Sequence, residues 1–422
     1  MIENNPQVTA LLAAMVKHEA SDLYLTTGAR ASIKVMGGFK HLTKESMKPG
    51  MIAALARAML NDDEWDSFKN TKEINKGLAI KDVGRFRLNA YHQRGEVSMV
   101  IRHVRSDIMS PDALGLPDVL KELAMKKDGL MLFVGSTGAG KSTSMASLIQ
   151  YRNERHAGHI LTIEDPIEYV FKHNKSIIGQ REVGFDTHSY KNAMREAMRE
   201  APDVVMVGEV RDTETVDSAM GFADTGHLVI TTLHATNATQ AIDRLLYLFP
   251  ADQRQRILMD LSLNLRGIVA QRLIPDVNGK RVLASEVLIN TPFVAETIRK
   301  GKTHELTGLM EKGSTDGMHT FDQSLIEHCL AGRITKEAAM EHATSKNNLE
   351  WRLNFEQNPG AESQAGGQSA RGGDLPELEG ESDQVEEKRQ KGLDEIESAV
   401  NDAMEPLNEV KMESSELPEL EH

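Results

Sequence analysis

Leu130-Met131-Leu132-Phe133-Val134, followed at once by Gly135-Ser136-Thr137-Gly138-Ala139-Gly140-Lys141-Ser142, is the stretch that decides the fold. An apolar run that turns into a glycine-rich octapeptide and then into helix-compatible residues is a strand handing over to a helix through a phosphate-binding loop. Gly135, Gly138 and Gly140 let the backbone curl so that successive N–H groups converge on phosphate oxygens. The positive end of the helix that begins near Lys141 adds to that field. Gly135, Ser136, Thr137, Gly138, Ala139, Gly140, Lys141, Ser142 and Thr143 are therefore the expected nucleotide cradle. Within it, Lys141 is expected to reach the β- and γ-phosphates of ATP and Ser142 to ligate Mg²⁺.

Working outward, the apolar runs Ile160 to Ile163, Val204 to Val207 and Leu228 to Leu233 alternate with helical patterns. Strands alternating with helices imply an α/β domain whose parallel sheet is covered on both faces. Beyond Asp252 the pattern is mostly helical, with a hairpin expected at Pro275 to Lys280 between Ile268 to Ile274 and Val282 to Val287. Upstream, Asn5 to His18 and Met51 to Leu60 have helical spacing, and Ser21 to Leu25, Ala31 to Val35 and Gly84 to Arg94 read as strands. In Arg85 to Ala90, period two puts Phe86, Leu88 and Ala90 on one face and Arg85, Arg87 and Asn89 on the other. The expected division is a small α+β domain over residues 1–104, a linker over 105–117 carrying Pro111, Gly115 and Pro117, an ATPase domain with C-terminal helices over 118–355, and an acidic, disordered tail over 356–422.

The charge sits almost wholly in that tail. From Glu356 to His422 there are 19 acidic and 5 basic residues, which accounts for the whole net charge of −14, and the remainder holds 44 of each sign. A balanced body supports neither a basic field for nucleic acid nor a strongly acidic surface. The tail is rich in Glu, Gly, Ser and Gln and lacks the apolar content to build a core of its own. Within it Leu393, Ile396, Val400, Ala403 and Leu407 follow a three-four spacing, so a short amphipathic helix against a partner is expected. The pentad LPELE also occurs twice, at Leu375 to Glu379 and Leu417 to Glu421. The single cysteine, Cys329, excludes an intramolecular disulfide and a tetracysteine zinc site, and fits a reducing compartment. No apolar run approaches 18 residues, so membrane contact is expected to be peripheral only.

Hydrolysis requires more than a P-loop: a carboxylate must stand beside the γ-phosphate and Mg²⁺, usually at the end of a neighbouring strand. Asp203 to Glu209 supplies one, except that Gly208 occupies the position where many such strands carry aspartate. Glu209 is the candidate for orienting water and holding the metal through water. Glu164, after the apolar run ending at Ile163, is the alternative base, with Asp165 and Glu168 able to hold the metal's water shell or a neighbouring loop. His227 and His234 bracket one strand, either as satisfied core histidines or as reporters of the γ-phosphate. Arg87, Arg94 and Arg102 lie on or beside strands of the first domain and reach a phosphate only if domains close or subunits pack.

Four motifs in order resemble the Walker A, Asp, Walker B and His boxes of secretion ATPases: GSTGAGKS, TIEDPIEYV at Thr162 to Val170, APDVVMVGEVRD at Ala201 to Asp212, and TGHLVITTLHA at Thr225 to Ala235. EASDLYL at Glu19 to Leu25 and GRFRLNAYHQRG at Gly84 to Gly95 are similar to the N-terminal domain of the type IV pilus retraction motors, the PilT/PilU group. The resemblance runs to about residue 350. It implies a PAS-like domain joined to a RecA-like ATPase, assembled as a homo-hexamer with ATP between subunits. It also implies catalytic or sensing roles for Glu209, Glu164, His227, His234, Arg87 and Arg102. Pilus assembly motors of the superfamily carry a tetracysteine zinc site, so one cysteine favours retraction over extension.

The PilT form of a C-terminal helix is AIRNLIRE, whereas here Ala295 replaces its first arginine. With RKGKTHELTGLM at Arg299 to Met310 and GMHTFDQSL at Gly317 to Leu325, this looks like the PilU branch. The implied function is an accessory retraction ATPase powering or assisting twitching motility. It would be cytoplasmic and peripheral at the inner membrane, with a PilT-like motor and the inner-membrane pilus platform protein as partners and no nucleic acid. The alternatives are a type II secretion or DNA-uptake ATPase on the same scaffold, and a nucleotide-binding ring that clamps a partner motor.

Overall fold

The computed structural model describes residues 5–35, 38–81, 83–104, 107–313, 316–357 and 398–404. The chain divides into two compact units, Met1–Arg105 with Ser369–His422, and Ser106–Gln368.

The first unit contains α1 (Pro6–Lys17), β1 (Asp22–Leu25), β2 (Arg30–Val35), β3 (Gly38–Ser46), α2 (Met51–Met59), α3 (Asp62–Thr71), β4 (Glu73–Ile80), β5 (Gly84–Gln93) and β6 (Glu96–Val104). Its six strands form one antiparallel sheet in the order β3-β2-β1-β6-β5-β4. Phe86, Leu88 and Ala90 are buried while Arg85, Arg87 and Asn89 are not, as the alternation of β5 dictates. The core gathers Leu11, Leu12 and Met15 of α1, Ile52 and Leu55 of α2, and Leu23, Ile33, Leu88 and Ile101 of the sheet. Inside the stretch expected to carry no fold of its own, residues 398–404 form a helix whose Val400 and Met404 are buried in this same core. That helix uses the expected Val400 and half-buried Ala403, and Met404 besides; Leu393, Ile396 and Leu407 lie outside the described residues.

The second unit runs α4 (Asp118–Ala124), β7 (Gly129–Val134), α5 (Lys141–Arg155), β8 (His159–Glu164), β9 (Ile177–Glu182), α6 (Tyr190–Ala197), β10 (Val204–Val207), α7 (Thr213–Asp224), β11 (Leu228–Leu233), α8 (Ala238–Leu248), α9 (Arg254–Asn264), β12 (Leu265–Pro275) and β13 (Arg281–Ile289). Helices α10 (Pro292–Arg299), α11 (Leu306–Lys312), α12 (Phe321–Leu330), α13 (Lys336–His342) and α14 (Lys346–Gln357) complete it. Its seven-stranded sheet has the order β13-β12-β7-β11-β10-β8-β9, parallel throughout except for the edge strand β13.

Both faces of that sheet are covered, and the residue alternation shows how. Leu130, Leu132 and Val134 of β7 face a core with α6, α7, α8 and α9, while Met131 and Phe133 face another with α4 and α5. Such two-sided burial explains why these strands read as unbroken apolar runs. The stretch expected as a linker belongs largely to this unit: Leu116 is buried beside Leu120 and Leu123, and Ser147 Oγ donates to Met109 O at 2.7 Å.

Candidate functional site

The P-loop joins β7 to α5 at the carboxyl edge of the parallel sheet, where open α/β sheets bind ligands. Helix α5 begins after Gly140 in the left-handed region and has no side-chain cap, so its first N–H groups are left for a ligand. Lys141 Nζ donates to Gly135 O at 2.8 Å and Ser136 O at 2.9 Å, which holds the ammonium inside the curl of the loop. A third N–H remains for a phosphate oxygen. Burial pushes the Lys141 ammonium below its usual range, opposed by the Glu168 carboxylate. Gly135 has φ +150, and a Cβ there would lie 2.6 Å from Gln271 O, so strand β12 closes the loop from behind and admits only glycine. Thr143 Oγ1 lies 2.9 Å from Tyr169 Oη, which anchors the end of the cradle.

Both acidic candidates stand at the same edge, because β8 and β10 are adjacent and parallel in register. Glu164 ends β8 and is 6% exposed; Thr162 Oγ1 donates to its Oε1 at 2.7 Å and Gln180 Nε2 at 3.2 Å. Burial raises its carboxyl to about 7 against those two hydrogen bonds. Glu209 follows β10; its Oε2 lies 3.1 Å from His234 Nε2, and Arg211 forms an ion pair with Oε1. Oε1 is buried and faces the Arg211 guanidinium. A carboxylate at this strand end suits a water of a hydrated divalent cation, and the hydroxyl of Ser142 at the start of α5 suits its direct ligation. The donor set present therefore fits Mg²⁺ held by Ser142 and, through water, by Glu209. Burial, with the cations of Lys141, Arg244 and Arg211, holds His234 below its ordinary range, so it is a neutral imidazole at pH 7 and its Nε2–H donates to Glu209.

Not every sequence candidate joins this group. His227 precedes β11, at the end opposite His234; its Nδ1 lies 3.1 Å from Phe222 O and 3.1 Å from Thr225 Oγ1, in the turn after α7. With β11 running between them, their Cα atoms stand about 23 Å apart at ~3.3 Å per residue. Arg87 and Arg102 belong to the first unit, directly opposite one another on β5 and β6. Arg102 Nε donates to Asp22 Oδ1 at 2.9 Å, and the register continues to Lys34 of β2. A row Lys34, Asp22, Arg102, Arg87 thus crosses the sheet, with buried Asp22 as its single anion. Arg94 lies in the β5–β6 turn with φ 53.

Sequence reading missed several supporting residues. Tyr190, whose hydroxyl is pushed up by burial and by Asp165, packs against Gly208: a Cβ at Gly208 would lie 2.9 Å from Tyr190 Oη and 3.4 Å from Glu164 Cα. That close approach explains the glycine where many such strands carry aspartate. Thr232 Oγ1 donates to Gly208 O at 2.8 Å, and Val210 N donates to Thr232 O at 2.9 Å, fixing the segment that carries Glu209. Gln271 Nε2 donates to Ser144 Oγ at 2.7 Å, linking β12 to α5. The polar Gln271 in an apolar run was the one available signal.

A family model described as type II/IV secretion system protein matches residues 4–349. The type IV pilus ATPase PilU of Pseudomonas aeruginosa is 47% identical over 340 residues, covering 80% of this chain and 89% of that one. The type IV pilus retractation ATPase PilT of the same organism is 37% identical over 342 residues, covering 81% and 99%. Among solved structures, the pilus retraction motor PilT with bound ADP superposes with a TM-score of 0.76 at 40% identity, covering 81% of this chain and 98% of that one. The chain belongs to the type II/IV secretion system protein family and, within it, to the PilT/PilU group of ATPases.

Proposed function

We propose that this chain hydrolyses Mg-ATP as a subunit of a homo-hexameric ring that powers or assists type IV pilus retraction. In that role it acts beside a PilT-like motor, on the pilus platform protein at the cytoplasmic face of the inner membrane. Among the described residues no helix is long and apolar enough to cross a membrane. The observation that carries the reading is Glu209: a half-buried carboxylate, tied to neutral His234, on the same sheet edge as the P-loop.

The uncapped N-terminus of α5 and the loop N–H groups bind the phosphates, and Lys141 neutralises the charge that grows on the γ-phosphoryl group. Mg²⁺, when bound at Ser142, supplies charge neutralisation and orientation of the phosphate oxygens. Glu209 orients the attacking water, and His234 holds Glu209 and registers the γ-phosphate. Glu164, with its carboxyl near neutrality, is the second group able to take a proton, and its burial restricts it to protons passed from inside the site. Arg102 and Arg87 are assigned to a neighbouring subunit's ATP, where an arginine is worth ~10³ to 10⁵ in rate.

The test is steady-state Mg-ATPase of the purified chain beside Glu209→Gln, at a concentration where sizing shows a ring. Activity lost in the variant, with ATP still bound, supports the motor. Full activity in the variant moves water orientation to Glu164. No turnover in either protein, even with the partner motor added, leaves the nucleotide-binding clamp.

A further inference from the structure

The helix at 398–404 rests on the outermost strand of the first unit. β3 ends the sheet, and its ladder with β2 jumps from Arg30↔Ser46 to Ser32↔His41, leaving residues 42–45 out of regular pairing. Such a bulge turns backbone groups off the sheet. Leu42 and Thr43 point inward and are buried, with Ala31 N donating to Thr43 Oγ1 at 3.0 Å. Lys44 N donates outward, to Asn401 Oδ1 of the tail helix at 2.9 Å. Val400 and Met404, one helical turn apart, enter the core that contains Leu42.

The two stretches of sequence are opposite in charge. Residues 30–46 of the β2–β3 hairpin carry Arg30, Lys34, Lys40 and Lys44 against Glu45 alone. Residues 394–405 carry Asp394, Glu395, Glu397, Asp402 and Glu405 and no base. The 40 residues of 358–397, at ~3.3 to 3.6 Å each when extended, give a reach of roughly 130 to 140 Å, ample to bring the segment to this edge. Short isolated helices are marginal in water, and the described part of this one, 398–404, lies against the seat through Val400, Asn401 and Met404.

We propose that the bulged outer edge of β3 is a docking surface for this chain's own segment 398–404, a charge-steered latch that seals the open strand edge of the first unit. The acidic tail then has an address on the folded body. Among the described residues the segment is held through Val400, Met404 and the Asn401 acceptor, and the proposed latch opens and closes reversibly. When it opens, the Lys44 amide and the apolar seat around Leu42 become available to another edge-pairing or helical partner. This inference rests on the first unit alone and stands whether or not the chain turns over ATP.

The experiment is hydrogen–deuterium exchange on the full-length chain, reading peptides over residues 38–46, with peptides over β7 and α5 as the internal control. In Val400→Asp/Met404→Asp, exchange over 38–46 is expected to rise about tenfold or more, with the control unchanged. About 1 M salt, where the Debye length is ~3 Å, should raise it in the parent chain in the same direction. Unchanged exchange over 38–46 in the double variant would overturn the latch. Lys44→Cys/Asn401→Cys in a Cys329→Ser background, treated with a short bis-thiol reagent, tests whose tail is seated. A bridge within one chain supports the proposal, and a covalent dimer overturns the assignment to the chain's own tail.

Discussion

Gly208 and Glu164 show how single atoms set this site. In Gly208→Ala the new methyl carbon meets Tyr190 Oη at 2.9 Å, so the segment carrying Glu209 must shift. We expect a loss of about 1 to 3 kcal/mol in denaturant unfolding, largely recovered in Gly208→Ala/Tyr190→Phe. An unfolding midpoint equal to that of the parent would mean that the tyrosine yields at no cost. Glu164 binds its proton more tightly in the folded chain, at about 7, than at its ordinary 4.5. Its contribution to stability is therefore complete below about pH 4.5 and declines as pH rises to about 7. Glu164→Gln keeps an acceptor for the Thr162 hydroxyl and removes that decline. Its gain over the parent, measured without nucleotide, should be small at pH 5 and reach roughly 3 kcal/mol at pH 8. A pH-independent difference would place the raised affinity elsewhere. Sequence named Glu209, Glu164, His234 and the loop because those residue types follow apolar runs. It could not name Tyr190, Gln180 or Gln271, whose part is played by distance across strands that no local pattern encodes.

The charge row of the first unit belongs to the scale of elements. Arg87 and Arg102 are opposed across β5 and β6, an arrangement that repels unless an anion intervenes. Asp22 of β1 supplies that anion from the far side of Arg102, buried and further held by Ser21 Oγ at 2.9 Å. Asp22→Ala should cost the first unit about 1 to 2 kcal/mol, and added salt should narrow the difference by screening the exposed arginines. Equal stability at low salt would remove Asp22 as the neutralising group. The buried strands β7, β8, β10 and β11 and helix α5 were legible because two-sided burial writes continuous apolar runs. β3, β4, β6 and β9 went unnamed because their sequences mix charge into edge or half-covered positions, Glu73-Ile74-Asn75-Lys76 and Gly179-Gln180-Arg181-Glu182 among them. His227 and His234 flank one strand, and parallel topology sends its two ends to opposite edges of the sheet.

For the whole molecule, the decisive matter is which subunit supplies which group. Arg102 and Lys141 fall in different units of the chain. If Arg102 serves a neighbour's nucleotide, Arg102→Ala and Lys141→Ala proteins, each inactive alone, should regain part of the parent ATPase when mixed into common rings. Mixtures as inactive as their components would return the arginines to a purely structural role. At this scale the tail's charge was plain from composition, whereas its seat was not, since the half that receives it lies more than 350 residues earlier on an irregular strand edge. Strand β11 offers the experimenter something further. It is hydrogen-bonded along both sides, to β7 and β10, and so keeps a constant length whatever the nucleotide state. The positions of His227 and His234 at its two ends are thus a built-in measuring stick of about 23 Å. Spectroscopic labels placed there calibrate each preparation, and any change seen from either end to a third label reports movement of that third point alone.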